Sequence, residues 1–464
     1  MIANLKPNFL IDDFDQSQNI IAAVSGGSDS LALLFLLQEF LQKHGQQHRL
    51  VAITIEHGLR PESFLEAQAV GALCLKHNIQ HDIYVWQGEK PKVGISDKAR
   101  TARYNLLCKA AKQYQSHVIL TGHTFNDQIE TFRMRQIRLD KGRGLAGMAR
   151  EALLQQEFKL LRPLLDCKRA DLRNYLLTKN IGWVDDPSND NVHYERVRIR
   201  KSADPAIEDT IYNQLKTARL QREKAAKDIA QLIQQTNIHW RGEQLFIEIA
   251  DDSLRQQLAF IHLIEVLSAL VGGKAFLKPA TSALIDFIAT PANAKKATHC
   301  SALLENHPKE IRIWREQRNL QPMIITSGKT MIWDGRFAIT NKQNEDLMIR
   351  IPSISEVHAA LNELQNHNIN KIKYHIPSLL TAPLIETKND KTLPFISRKF
   401  SESNQYHITP VLMPFHWLAS GHDFAMLSPL YRLFYQRMDL KFKIDGFANK
   451  NLAEIPTCTL ASEE

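Results

Sequence analysis

The segment from Asn19 to Leu37 constrains this chain more than any other stretch. Asn19-Ile20-Ile21-Ala22-Ala23-Val24 is a short apolar run of the kind that forms a buried strand. Ser25-Gly26-Gly27-Ser28-Asp29-Ser30 follows as a tight turn, and Leu31-Ala32-Leu33-Leu34-Phe35-Leu36-Leu37 as the helix after it. Gly26 and Gly27 have no Cβ, so the backbone can take positive φ and pass close to a ligand. Ser28, Asp29 and Ser30 are all residues that favour helix N-caps. The amides of that helix end point outward with partial positive charge, which makes a nest for phosphate oxygens. A Walker A loop is excluded, because it needs a lysine at the end of its glycine-rich run and none stands here.

The string Ser25 to Ser30 resembles the Ser-Gly-Gly-x-Asp-Ser loop of the N-type ATP pyrophosphatases, the PP-loop superfamily. That resemblance implies cleavage of ATP between its α and β phosphates, with pyrophosphate released and AMP left on the substrate. It assigns ATP contacts to Ser25, Gly26, Gly27, Ser28, Asp29 and Ser30.

Alternation of apolar runs with helical patterns continues to about residue 190. Ile20–Val24, Leu50–Ile55, Asp82–Trp86 and His117–Leu120 read as strands; Leu31–Lys43, Glu62–Asn78 and Ser96–Gln113 read as helices between them. The pattern predicts an α/β fold with a doubly wound parallel sheet. Ligands of such sheets bind beyond the carboxyl ends of the strands, where strand order reverses. Glu56-His57-Gly58-Leu59 follows the second strand, and Thr121-Gly122-His123-Thr124-Phe125-Asn126-Asp127-Gln128-Ile129-Glu130-Thr131 follows the fourth. A helix starting near Asp127 puts Glu130 and Thr131 on the same face as that aspartate. Asp29 and Asp127 then stand at the ends of neighbouring strands, placed to hold one Mg²⁺ against phosphates. Helix capping by Asn126 and Asp127 is the competing use of those side chains.

Within the superfamily, five ordered motifs resemble the tRNA(Ile)-lysidine synthetases, over roughly the first 40% of the chain. They are the loop at Ser25, the segment Gly122 to Thr131, and Ala99-Arg100-Thr101-Ala102-Arg103-Tyr104. Gly144-Leu145-Ala146-Gly147-Met148 with Arg162-Pro163-Leu164-Leu165 forms the fourth, and Trp183 to Asn189 with Tyr194 to Arg200 the fifth. The resemblance implies ligation of free lysine to C2 of the wobble cytidine in the isoleucine tRNA with a CAU anticodon. It also extends nucleotide binding to His57 and His123, gives Arg100 or Arg103 to the departing pyrophosphate, and leaves Asp127 and Glu130 open as partners of the lysine amine. The chain departs from the family pattern at Asn126, where an acidic residue is usual, at Arg138-Leu139-Asp140-Lys141, and at Val197.

The net charge is +8, from 58 Lys and Arg against 50 Asp and Glu, which suits a polyanionic partner without requiring one. Arg133 to Arg143 carries four arginines and a lysine, and Glu195 to Lys201 three arginines and a lysine. Arg138, Arg196, Arg198 and Arg200 are therefore candidate contacts to tRNA phosphates. Five singly scattered cysteines argue against a disulfide framework or a zinc site and for a cytoplasmic setting. The longest apolar run, Leu31 to Leu37, is too short for a membrane span. A homodimer is compatible with the sequence but nothing in it specifies one.

Three domains are expected. Residues 1–205 form the ATP-splitting domain. Residues 206–320 form a helical middle domain, with a long amphipathic helix at Glu208–Gln235 and further helices at Leu254–Val271 and Ala280–Ile288. Residues 321–464 form a small α+β domain, assigned to the tRNA acceptor stem, with strands at Met331–Trp333, Phe337–Thr340 and Leu347–Ile351 and a helix at Ser355–Asn366. Other enzymes of the superfamily, and a non-catalytic ATP- or RNA-binding module, are the competing functions. A thiolase would want well-placed cysteines and an amidotransferase-coupled synthetase a glutaminase module, and neither is visible.

Overall fold

A computed structural model of the chain describes residues 5–15, 17–60, 62–91, 93–138, 142–185, 195–202, 205–291, 295–366, 374–388, 390–397 and 405–438. It divides into two compact units, one of residues 1–222 with 420–422 and the other of residues 223–419 with 423–464.

In the first unit, strands and helices alternate: β1 (Ile20–Ala23), α1 (Ser28–Lys43), β2 (Leu50–Glu56), α2 (Ser63–Lys76), β3 (Gln80–Val85), α3 (Ile95–Gln113), β4 (Val118–Thr121) and α4 (Phe125–Ile137). A hairpin, β5 (Glu151–Leu154) and β6 (Phe158–Leu161), precedes α5 (Arg169–Thr178), α6 (Glu195–Lys201) and the long α7 (Pro205–Gln235), whose residues from Glu223 on belong to the second unit. The strands line up in the order β5-β6-β4-β1-β2-β3. All neighbours are parallel except β5 and β6.

Every residue of β1 and β4 is buried, as expected of central strands covered by helices on both faces. Leu31, Leu33, Leu34 and Leu37 of α1 close the core against β1 and against Leu172, Tyr175 and Leu176 of α5. After β1 the chain builds outward through β2 and β3, then returns to add β4 on the other side of β1. Strand order therefore reverses between β1 and β4, and the turns after these two strands face a common crevice. This is the doubly wound sheet expected from the alternation.

The second unit holds the expected helices α8 (Leu258–Val271) and α9 (Ser282–Ala289). It also holds a five-stranded antiparallel sheet that the periodicity did not reveal. The strands are β7 (Ile238–Arg241), β8 (Gln244–Glu248), β9 (Lys295–His299), β10 (Ala302–His307) and β11 (Glu310–Arg315), in the order β7-β8-β11-β10-β9. Its three hairpins turn on two residues each, Gly242-Glu243, Cys300-Ser301 and Pro308-Lys309, too little loop to mark a boundary in a charged sequence.

Beyond residue 321, β12 (Met323–Ile325), β13 (Thr330–Trp333), β14 (Phe337–Asn341), β15 (Leu347–Arg350) and α10 (Ile354–Asn366) match the expected strands and helix. They contribute to two further small antiparallel sheets. Among the described residues no helix is long and apolar enough to cross a membrane.

Candidate active site

The turn after β1 is braced by its own hydroxyls. Ser30 Oγ accepts from the Ser25 amide at 3.0 Å, lies 3.2 Å from Ser25 Oγ and donates to the Gly27 carbonyl at 2.9 Å. Gly26 has φ of +84°, which a side chain would strain. From behind, the Val184 amide donates to the Gly26 carbonyl at 3.0 Å. The Arg173 guanidinium adds to this brace, lying 2.5 Å from Asp185 Oδ1 and 3.4 Å from Ser28 Oγ and 5.4 Å over the Trp183 ring. The shape of the loop is thus held by the chain's own hydrogen bonds.

The turn after β4 meets it backbone to backbone. A Cβ built on Gly122 would lie 2.8 Å from the Asp29 carbonyl oxygen, so only glycine allows this approach. Asp127 makes a capping box with Thr124: its Oδ2 accepts from the Thr124 amide and hydroxyl, both at 2.9 Å. Capping and site-building prove compatible, because Asp127 Oδ1 remains turned toward the crevice, 3.7 Å from Arg169 Nη2. Asn126 serves another helix altogether. Its carboxamide oxygen accepts the Arg169 amide at 2.9 Å and so caps α5, a role for which a neutral side chain suffices.

Arg169 gathers the carboxylates. Its Nε donates to Asp29 Oδ2 at 2.8 Å, and its Nη1 lies 3.8 Å from Glu130 Oε1. Arg200 donates to the same Glu130 oxygen at 2.9 Å. Glu130 is only 4% exposed, and its Oε2 is buried with no hydrogen-bond partner, an unusual cost for a carboxylate. Burial raises the Asp29 carboxyl above its ordinary range; nearby Asp127 adds to the rise, while Arg169 and Ser28 oppose it.

Beside this cluster lies a basic one. His123 stands partly buried, with Nδ1 2.9 Å from Thr121 Oγ1. Desolvation, then the positive fields of Arg162, Arg103, Arg100 and Arg196, push it well below the usual imidazole range, so it is neutral. Arg162 is buried, donates to the Ala149 carbonyl at 2.9 Å and keeps an unpartnered Nε. Arg100 lies 5.1 Å over the Tyr104 ring. His57, after β2, packs edge-on to Trp86 at 6.1 Å, and its buried Nδ1 has no partner. Burial lowers its pKa first, with Arg103 adding to the effect. Next to it, Trp86, Glu89, Lys90, Pro91 and Lys98 line an open pocket of about 570 Å³ at the end of β3.

The structure therefore brings Ser25 to Ser30, Asp29, Asp127 and Glu130 together, and sets His123, Arg100 and Arg103 beside them. Of the basic residues singled out for tRNA, Arg138 pairs with Glu195, Arg200 with Glu130, and Arg196 and Arg198 are exposed. Residues 139–141 and 186–194, which include Asp186 to Tyr194 of the fifth motif, lie outside the described residues. Sequence reasoning missed Arg169, Arg162 and the role of Asn126. A signal for Arg169 existed: it is the first residue of α5, where the helix dipole disfavours a cation.

Whether a divalent cation fits can be judged from the donor set. Among the described residues no three His, Cys, Asp or Glu side chains close around a metal position by themselves. Asp29 Oδ2 and Asp127 Oδ1 do converge on one cation, the Arg169 guanidinium. Two carboxylates completed by phosphate oxygens is the usual Mg²⁺ arrangement, so these residues fit that ion.

A family model described as a PP-loop domain matches residues 2–207. The tRNA(Ile)-lysidine synthase of Bartonella quintana (strain Toulouse) is 34% identical over 92% of this chain and 97% of its own length. This chain belongs to the tRNA(Ile)-lysidine synthase family. The family's proteins from Bartonella henselae and Brucella suis biovar 1 are 33% and 36% identical, covering 94% and 89% of this chain and 98% and 93% of their own lengths. The family likeness therefore extends through the second unit, well past the PP-loop domain. Among solved structures, the U34-tRNA thiolase NcsA from Methanococcus maripaludis covers 45% of this chain and 74% of its own, at 16% identity and a TM-score of 0.38, too loose a likeness to argue from.

Proposed function

We propose that this protein ligates free L-lysine to C2 of the wobble cytidine in the isoleucine tRNA with a CAU anticodon, using ATP and releasing AMP and pyrophosphate. One observation carries the reading: Asp29 and Asp127, at the ends of adjacent strands, converge beside the pre-shaped loop Ser25 to Ser30. Membership of the tRNA(Ile)-lysidine synthase family supports this choice of substrates.

The C2 oxygen of cytidine is a poor leaving group until it carries AMP. In the first step that oxygen bonds to the α-phosphorus as the α–β bridge breaks, and pyrophosphate departs with the electron pair. The loop amides receive its oxygens, and Arg100 or Arg103 adds guanidinium donors. Mg²⁺, held by Asp29 and Asp127, would offset phosphate charge. In the second step the lysine ε-nitrogen bonds to C2 as the C2–O bond breaks and AMP leaves. The amine must first lose a proton, since its reference pKa is about 10.4. Glu130 is suited to receive it, because its buried, unpartnered Oε2 accepts an ammonium N–H while Arg200 steadies the other oxygen. Asp127 is the alternative acceptor. His123, neutral among arginines, donates or accepts a hydrogen bond toward the nucleotide without adding charge.

The tRNA would meet Arg138, Arg196, Arg198 and Arg200 through its phosphates, which position it without reading sequence. The second unit, divided at about residue 320 into middle and C-terminal parts, would distinguish this tRNA from methionine tRNA at the acceptor stem. A cytoplasmic location follows from that substrate; a homodimer is admissible. Incubation with ATP, Mg²⁺, labelled lysine and tRNA tests the reading. Label entering the CAU isoleucine tRNA is the expected result. No label, with pyrophosphate released toward another nucleophile, assigns the chain a different PP-loop reaction.

A further inference from the structure

Arg169 sits where a cation held by Asp29 and Asp127 would have to sit. One edge of its guanidinium spans both carboxylates, at 2.8 and 3.7 Å, and another nitrogen reaches Glu130 at 3.8 Å. The charge logic is direct. Asp29, Asp127 and Glu130 are packed together in a poorly hydrated crevice, and Arg169 and Arg200 are cations bonded to them. Without Arg169, Asp29 and Asp127 would face each other with no cation between them, an arrangement that either repels or recruits a metal ion.

Arg169 is anchored at its backbone and reaches the crevice with its tip. Its backbone amide is fixed by Asn126 at 2.9 Å, whereas its side chain remains 19% exposed at the crevice. The neighbouring Lys168 cannot replace it, being directed to Glu208 at 3.6 Å and lying over the Phe125 ring.

We propose that Arg169 is a positioning residue that fills the Asp29–Asp127 pair in the nucleotide-free protein and so makes divalent-cation binding conditional on the nucleotide. A triphosphate entering the loop offers the guanidinium bidentate oxygen partners of its own. When the guanidinium turns to them, Asp29 Oδ2 and Asp127 Oδ1 are released together, and the cation and nucleotide load as a unit. The inference rests on the assignment of the cation to Asp29 and Asp127.

The test uses the full-length protein and Mn²⁺, without tRNA or lysine, with protein-bound Mn²⁺ as the readout, taken by equilibrium dialysis as the excess of total Mn²⁺ in the protein chamber over a protein-free chamber with the same nucleotide. Without nucleotide, the native protein should show negligible saturable binding. Arg169→Gln should bind Mn²⁺ roughly tenfold tighter or more, a coupling of ordinary size between sites. Asp127→Asn in that background should remove the gain. Adding α,β-methylene-ATP should bring the native protein to the affinity of the variant. Equal Mn²⁺ affinity of native protein and Arg169→Gln, without nucleotide, overturns the inference alone. Absence of bound Mn²⁺ in either protein even with the analogue overturns the cation assignment and the inference with it. If Arg169→Gln fails to fold by circular dichroism, Arg169→Lys keeps the charge but loses the fork. A gain of about threefold is then expected, and unchanged affinity overturns the proposal.

Discussion

Two clusters of arginine and carboxylate among the described residues are built on opposite plans. In the first unit, Arg169 shares itself among Asp29, Asp127 and Glu130 at the rim of a crevice, and one Glu130 oxygen is buried without a partner. In the second unit, Glu243 is fully buried and bonded by Arg437, with Nε at 2.8 Å, while Arg336 lies at 3.7 Å. Asp334 joins Arg336 to Arg315 at 2.7 and 2.9 Å. Arg437 is walled in by the rings of Trp240, Phe337 and Phe395 at 4.3 to 4.8 Å. Completeness marks the second cluster as a fastening for the β7–β8 hairpin. Shortfall, at the ends of β1 and β4, marks the first as a place for exchange. A buried ion pair is therefore informative by what it leaves unsatisfied.

Four experiments can break that contrast. Asp29→Ala and Asp127→Ala should each cut pyrophosphate release by about a hundredfold or more while thermal unfolding still shows one folded protein, because each removes charge placement at the reacting phosphates. Unchanged turnover would remove the crevice cluster from the chemistry. Glu243→Ala should cost about 3–5 kcal/mol of stability, the usual penalty for stranding a buried partner, here Arg437. A loss under about 1 kcal/mol by denaturant titration would mean the fastening is not one.

Gly122→Ala is the finer probe. Its added methyl meets the Asp29 carbonyl and should cost about 1–3 kcal/mol by thermal melting, with turnover lowered more than stability explains. The smallest effect concerns pH. The His123 pKa is depressed in the folded chain, so its stabilising contribution is complete above its ordinary value of 6.5 and is lost as pH falls below it. His123→Asn should flatten the fall in melting temperature between about pH 6.5 and pH 5. An unaltered slope would mean that burial and the arginines around it do not hold it neutral.

The fold was legible where chain order equals spatial logic. Alternating apolar runs at Ile20, Leu50, Asp82 and His117 specify a parallel sheet, and the sheet places whatever follows β1 and β4 in one crevice. Ser25 to Ser30, Asp127 and Glu130 were found for that reason. Arg169 was not, because it comes from the start of a later helix and its meaning depends on three carboxylates that only tertiary structure unites. Asn126 read as a departure from a pattern, whereas in space it caps α5. The strands β7 to β11 were hidden for a different reason: their turns are short and their faces carry Glu, Arg and Lys, so polarity mimicked loop.

The hydrogen bond from Val184 to Gly26 has a practical reach beyond the crevice. It ties the turn after β1 to a segment beyond α5, so a fragment that keeps the shape of this turn must extend through Val184 rather than stop with β6. A protein cut after α5 would keep β1 to β6 and lose this tether, and nucleotide affinity is the measurement that should report its loss.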